Sequence, residues 1–183
     1  MKSPVLPVVV VPVFNAYDAL TTCLESLLKT LPRQASVLLA DDASTDARIP
    51  DLLLQFKEQA PFQVEIVRRE KNIGFPSNCN LAFEEAGDHD VLLLNSDTIF
   101  TRGCLQRIAE CAVSEPAIAT ITPWSNNAEI CSYPKFCEKN PLPDNLELVA
   151  AAAALMKVDR APDLPTAIGF CMWISRAALK QCG

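Results

Sequence analysis

Apolar and polar positions along this chain fall into blocks whose period changes. Short β-branched or leucine-rich runs at residues 5–11, 37–40, 64–67, 91–94 and 118–122 are mostly apolar and bounded by polar turns, the pattern of strands buried on both faces. Between them the spacing becomes helical. Leu20, Leu24, Leu27 and Leu28 mark a helix over 16–30, and Pro50 suits the first turn of another over 49–59. Further helices are predicted over 76–86 and 103–113. This β-α-β-α rhythm predicts an α/β fold: a mostly parallel sheet with helices on both faces and right-handed crossovers.

The rhythm breaks after residue 122. Residues 123–145, rich in Pro, Asn and Ser, read as a long loop, and such loops are often functional. Asp144 is placed to cap a helix running through Met156, with Pro162 and Pro165 beyond its end. Residues 166–175 form one more strand and 176–181 open a final helix. Because the chain stops early in that helix, residues 1–183 are expected to be one domain cut short at its C-terminal side.

Composition narrows the classes. The net charge is −6, which argues against a broad basic surface for nucleic acid. No apolar run approaches the ~20 residues that span a bilayer. Residues 5–12 are too short and proline-broken for a secretory signal. The eight cysteines contain no Cys-x-x-Cys pair and fall mostly in apolar stretches, so they read as reduced core residues of a cytoplasmic protein.

The candidate chemistry sits where predicted strands end. The run 91–94 passes directly into Asn95-Ser96-Asp97-Thr98, and 37–40 passes into Asp41-Asp42-Ala43-Ser44-Thr45-Asp46. Strands ending in carboxylates deliver them to the carboxyl edge of an open sheet, where such folds bind ligands. Asp97 is either a hard-oxygen ligand for Mg²⁺ or Mn²⁺ or the cap of a turn before Thr98. Asp42 is suited to accept a hydrogen bond from a base imide or a ribose hydroxyl, and Asp41 either shares that task or faces the sheet. Ser44 or Asp46 is expected near a helix N-cap. Pro12-Val13-Phe14-Asn15 follows the first strand. Its Asn15 is either an N-cap or part of a nucleotide edge.

Asn72-Ile73-Gly74-Phe75 leads into a helix whose N-terminus, with the amides of Asn78 and Asn80, suits phosphate or sugar oxygens. No glycine-rich dinucleotide loop, P-loop or nucleophile elbow is present.

In this order and spacing, these motifs resemble the family two glycosyltransferases, of the nucleotide-diphospho-sugar transferase (GT-A) fold, a Rossmann-like α/β architecture. The residues that carry the resemblance are Pro12 to Asn15, Asp41 to Asp46, Asn72 to Phe75, Leu94 to Thr98 and Gly169 to Arg176. Members of the rhamnosyltransferase and polysaccharide-assembly type are the most similar.

The resemblance implies inverting transfer of a sugar from a nucleoside diphosphate donor to the hydroxyl of a sugar or lipid-linked acceptor, with peripheral membrane association of the full-length protein. It gives the nucleotide-sugar to Pro12, Asn15, Asp41, Asp42, Asn72, Gly74, Asn78, Asn80, Asn95 and Ser96, and a divalent Mg²⁺ or Mn²⁺ to Asp97. Asn95 stands where the family often has a second acid. The catalytic base is expected beyond Gly183. The rival readings are a binding module without a base and a sugar nucleotidyltransferase. The second conflicts with Pro-Val-Phe-Asn where a basic glycine-rich loop belongs.

Overall fold

A computed structural model describes residues 4–155 and 161–182. Six strands are formed: β1 (Val8–Val13), β2 (Ser36–Asp41), β3 (Gln63–Arg68), β4 (Val91–Leu94), β5 (Thr120–Ile121) and β6 (Cys171–Ile174). Six α-helices accompany them: α1 (Tyr17–Thr30), α2 (Ile49–Gln59), α3 (Phe75–Glu85), α4 (Cys104–Ser114), α5 (Leu146–Leu155) and α6 (Arg176–Cys182). The sheet order is β3-β2-β1-β4-β6-β5. The first four strands are parallel, whereas β6 runs antiparallel to both β4 and β5. The sheet is therefore mostly parallel, as expected.

Side-chain alternation divides the core into two layers. Val9, Val11, Val37, Leu39, Leu92 and Leu94 meet α1, α2 and α4 through Leu20, Leu27, Leu53 and Ile108. Val10, Leu38, Ala40, Val91 and Leu93 meet α3 on the other face through Cys79, Ala82 and Ala86. Helices on both faces explain why β1, β2 and β4 are apolar without interruption.

Several boundaries move. β1 extends to Val13, so Pro12 is buried inside the strand instead of following it. A proline is tolerated there because pairing with β4 ends at Val10, leaving no β4 partner that needs its N–H. The strand expected over 166–175 shrinks to β6, and the one expected over 118–122 to β5. Asn145, not Asp144, caps α5: its Oδ1 accepts the Leu148 N–H at 2.9 Å. Met156, the expected end of that helix, lies outside the described residues. The long loop is as expected, holding only a 3-10 turn at Glu129–Cys131.

All eight cysteines are free thiols. Burial pushes Cys23 and Cys104 up to about 12 and Cys79 up to about 11. Iodoacetamide should label the exposed Cys137 and Cys182 in the native protein at neutral pH, and the buried cysteines only after denaturation. Mass spectrometry of labelled peptides checks this. Native labelling of Cys23 or Cys171 would contradict the core described here.

Candidate active site

Parallel pairing brings the carboxyl ends of β1, β2, β3 and β4 to one edge, with the start of antiparallel β6 beside them. In the register, Val13 pairs with Asp41 and Asp41 with Arg68. Leu94 pairs with Cys171, and the next residue, Asn95, donates its N–H to the Phe170 carbonyl at 2.9 Å. The edge therefore carries Asp41-Asp42 and Asn95-Ser96-Asp97 on the two strands that flank β1, about 10 Å apart at the ordinary strand spacing.

The adjacent acids have different partners. Asp41 is fully buried: its Oδ2 accepts from Arg68 Nη1 at 2.7 Å and its Oδ1 from the Ser44 N–H at 2.9 Å. It holds the β2–α2 turn and is closed to a ligand. Asp42 is 3% exposed and accepts the backbone N–H groups of Ile73 and Gly74, one on each oxygen, both at 2.9 Å. The helix start expected to receive a phosphate thus already faces the protein's own carboxylate. Asp42 anchors the loop that leads into α3.

Asn15 does not cap α1. The residue preceding that helix is Ala16, with no side-chain cap. Instead, Asn15 Oδ1 accepts the N–H groups of Thr45 and Asp46, both at 2.9 Å, and its own N–H donates to Ser44 Oγ. With φ 55° it occupies the left-handed region, where asparagine is tolerated. Ser44 and Asp46 are likewise not N-caps, since α2 begins at Ile49 after Arg48. Asp46 accepts from the Arg48 guanidinium and N–H, which hold its carboxyl down to about 2.

Asn78 is also committed to the fold. Buried in α3, it donates Nδ2–H to the Ala40 carbonyl at 2.8 Å and accepts from Arg69 Nε at 2.9 Å. Asn80 is exposed further along α3, about 7.5 Å of helix rise from its start. Asn72 stays at the edge, its Nδ2 3.4 Å from the Asp42 carbonyl, and Gly74 is half-buried there with open space beside its Cα. Arg68, which the sequence reading missed, was signalled only by an arginine ending the third apolar run.

The turn after β4 is different in character. Thr98 N–H closes it onto the Asn95 carbonyl at 3.1 Å, and Cys23 Sγ lies 3.8 Å from the same oxygen. Ser96 is half-buried. Asp97 is exposed, and among the described residues it has no hydrogen bond or ion pair. The Asn95 Oδ1 is enclosed without a hydrogen-bond partner. An orphaned buried oxygen costs about 1–3 kcal/mol.

Among the described residues no three acidic, cysteine or histidine side chains form a ready metal cage. The one free donor among the described residues of this turn is the exposed Asp97 carboxylate, two residues after the enclosed Asn95. It fits a hard cation that takes one or two protein oxygens and completes its shell with phosphate and water. A cavity of about 210 Å³ lined by Ser26, Lys29, Phe100, Arg102 and Glu147 includes none of these residues.

The open α/β sheet, with its acidic turns at the carboxyl edge, has the fold of solved GT-A glycosyltransferases. Its backbone superimposes on a mannosyltransferase from Pyrobaculum calidifontis, solved with GDP-Man and Mn²⁺, with TM-score 0.70 and 19% identity over 98% of this chain and 47% of that one. Against Staphylococcus aureus TarS residues 1–349 with UDP-GlcNAc the values are 0.58 and 24%, over 66% and 34%. The chain belongs to glycosyl transferase family 2, whose profile matches residues 8–183. It is also 34% identical to the poly(ribitol-phosphate) β-glucosyltransferase of Bacillus spizizenii over 92 residues, 49% of this chain and 14% of that protein. Each match spans less than half of the other protein's length.

Replacing Asp42 by Ala strands two N–H groups and should destabilise the fold by about 1–3 kcal/mol in urea unfolding. Amide exchange at Ile73 and Gly74 should accelerate selectively. Unchanged exchange at both would contradict the clamp.

Proposed function

We propose that this domain binds the donor of an inverting glycosyltransferase, which moves a sugar from a nucleoside diphosphate to an acceptor hydroxyl during polysaccharide assembly. The observation that carries this reading is the pair of acidic turns one strand apart on either side of β1. One is locked into the fold and the other is free at the same edge. Their spacing is that of one nucleoside, with its base toward the β2–β3 side and its diphosphate toward β4. The donors named with the solved neighbours, GDP-Man and UDP-GlcNAc, support the donor class. The poly(ribitol-phosphate) enzyme supports a polymeric cell-surface acceptor.

In this reading the segments 12–15, 42–46 and 72–74 form the nucleoside's seat. Asp42 and Asn15 hold those loops, and Asn72 and Gly74 line the edge. Asp97 would hold a divalent cation at the diphosphate end of the donor, with Asn95 in the same turn. When bound, that ion neutralises charge gathering on the departing nucleoside diphosphate. Ser96, half-buried in the same turn, would meet the donor beside Asp97. The acceptor hydroxyl attacks the anomeric carbon from the face opposite the diphosphate, and the base that takes its proton is left unassigned. A cytoplasmic location at the membrane surface belongs to the same reading, supported by free thiols. No helix among the described residues is long and apolar enough to cross a membrane.

Thermal shift with UDP and GDP tests the proposal. With too few protein ligands to hold an ion alone, Mn²⁺ by itself should shift the melting temperature little. Mn²⁺ with the matching diphosphate should add about 2.7 kcal/mol at 100 times its Kd. Asp97→Ala should remove the metal-dependent part, and Asp42→Ala should weaken nucleoside binding with or without metal. A full Mn²⁺-dependent shift in Asp97→Ala would refute the assignment.

A further inference from the structure

The same edge continues past β4 onto β6 and β5, where an aromatic pair stands in solvent. Trp124 is 60% exposed and Tyr133 54%, and their rings meet edge to face with centroids 5.9 Å apart. This contact leaves ring surface open. The position follows from the strand register. Ile121 pairs with Trp173, and Trp173 with Leu92. Both β4 and β5 run antiparallel to β6, so they run parallel to each other and end at the same edge. Past Ile121 the chain leaves that register: Ile168 N–H donates to Thr122 Oγ1 at 3.1 Å, while on β4 Asn95 N–H donates to the Phe170 carbonyl at 2.9 Å. The segment bearing Trp124 therefore leaves the sheet at the edge that carries Asp97, on the side opposite β2 and β3.

The aromatic pair is held in place. The Ser125 N–H donates to the Cys131 carbonyl at 3.0 Å, and the Tyr133 N–H to the Ser125 carbonyl at 2.8 Å. Behind them Asn140 is 3% exposed, and its side-chain amide donates to the carbonyls of Asn126, Lys135 and Glu138 while its Oδ1 accepts the Lys135 N–H. A buried amide with every group used fixes the loop. Large aromatic rings kept in water by a rigid loop mark a binding surface more than a folding requirement.

We propose that Trp124 and Tyr133 form a stacking platform for a pyranose ring of the acceptor saccharide. This deepens the donor reading above and rests on it. A pyranose offers an apolar C–H face and a rim of hydroxyls. The platform offers ring surface bordered by Ser125, Asn126 and Asn127, groups that exchange hydrogen bonds with hydroxyls. The charges along 123–145 are mixed, Lys135 and Lys139 against Glu129, Glu138 and Asp144, which gives no attraction to an anionic lipid surface. A saccharide seated here is delivered from the side the nucleoside leaves free.

The chain's two tryptophans make the test direct, because Trp173 is buried at 3% exposure and Trp124 is not. Cellobiose, maltose and chitobiose are titrated into ¹⁵N-labelled protein with Mg²⁺ and UDP or GDP, following both indole N–H signals. At least one disaccharide should shift the Trp124 signal and leave Trp173 in place. Tyr133→Ala should weaken that disaccharide about tenfold or more, and Tyr133→Phe should retain it. Both variants should keep the diphosphate thermal shift, which controls for folding. If the diphosphate stabilises the protein but no disaccharide moves the Trp124 signal, the platform is refuted and the donor reading stands. A Trp124 shift with phosphatidylglycerol vesicles alone refutes it in favour of a membrane contact.

Discussion

Two neighbouring carboxylates organise everything at the working edge of this domain. Asp41 and Asp42 end one strand, so their side chains leave in different directions. Asp41 is drawn to Arg68 and the Ser44 N–H, and Asp42 to the Ile73 and Gly74 N–H groups. Burying a carboxylate is costly unless hydrogen bonds replace its water, and here backbone donors and a guanidinium supply them. One dipeptide thereby fixes the turn after β2 and the approach to α3, and Asn15 ties the turn after β1 to the same structure. Three loops become one preformed rim.

That arrangement divides labour between acids that look alike in sequence. The pair after β2 is committed to architecture, whereas Asp97 after β4 remains in solvent beside the unpaired oxygen of Asn95. Where the family often carries two acids in this turn, this chain has Asn95 and Asp97.

The sheet was legible because strands covered on both faces are written as unbroken apolar runs, and its carboxyl edge because those runs end in acid. Direction was less legible. Nothing in Cys171–Ile174 distinguishes a strand antiparallel to β4 from a parallel one, and that reversal carries Phe170 to Asn95. The roles of Asn15 and Asn78 were hidden for a related reason. A polar residue near a helix start reads as a cap, yet both side chains reach across to backbone groups about thirty or more positions away in sequence, a contact made only by the tertiary fold. Arg68 was invisible until strand pairing set it opposite Asp41.

The central claim is that one rim, from the loops held by Asp42 and Asn15 to the turn bearing Asp97, grips a single donor. A crystal structure with Mn²⁺ and the diphosphate that binds best, with anomalous data at the manganese edge, tests it most directly. The account predicts one strong anomalous peak at direct-ligation distance from the Asp97 carboxylate, with the base lying over residues 12–15, 42–46 and 72–74. A peak on other carboxylates, or a nucleotide bound away from the carboxyl ends of β2 and β4, would contradict it.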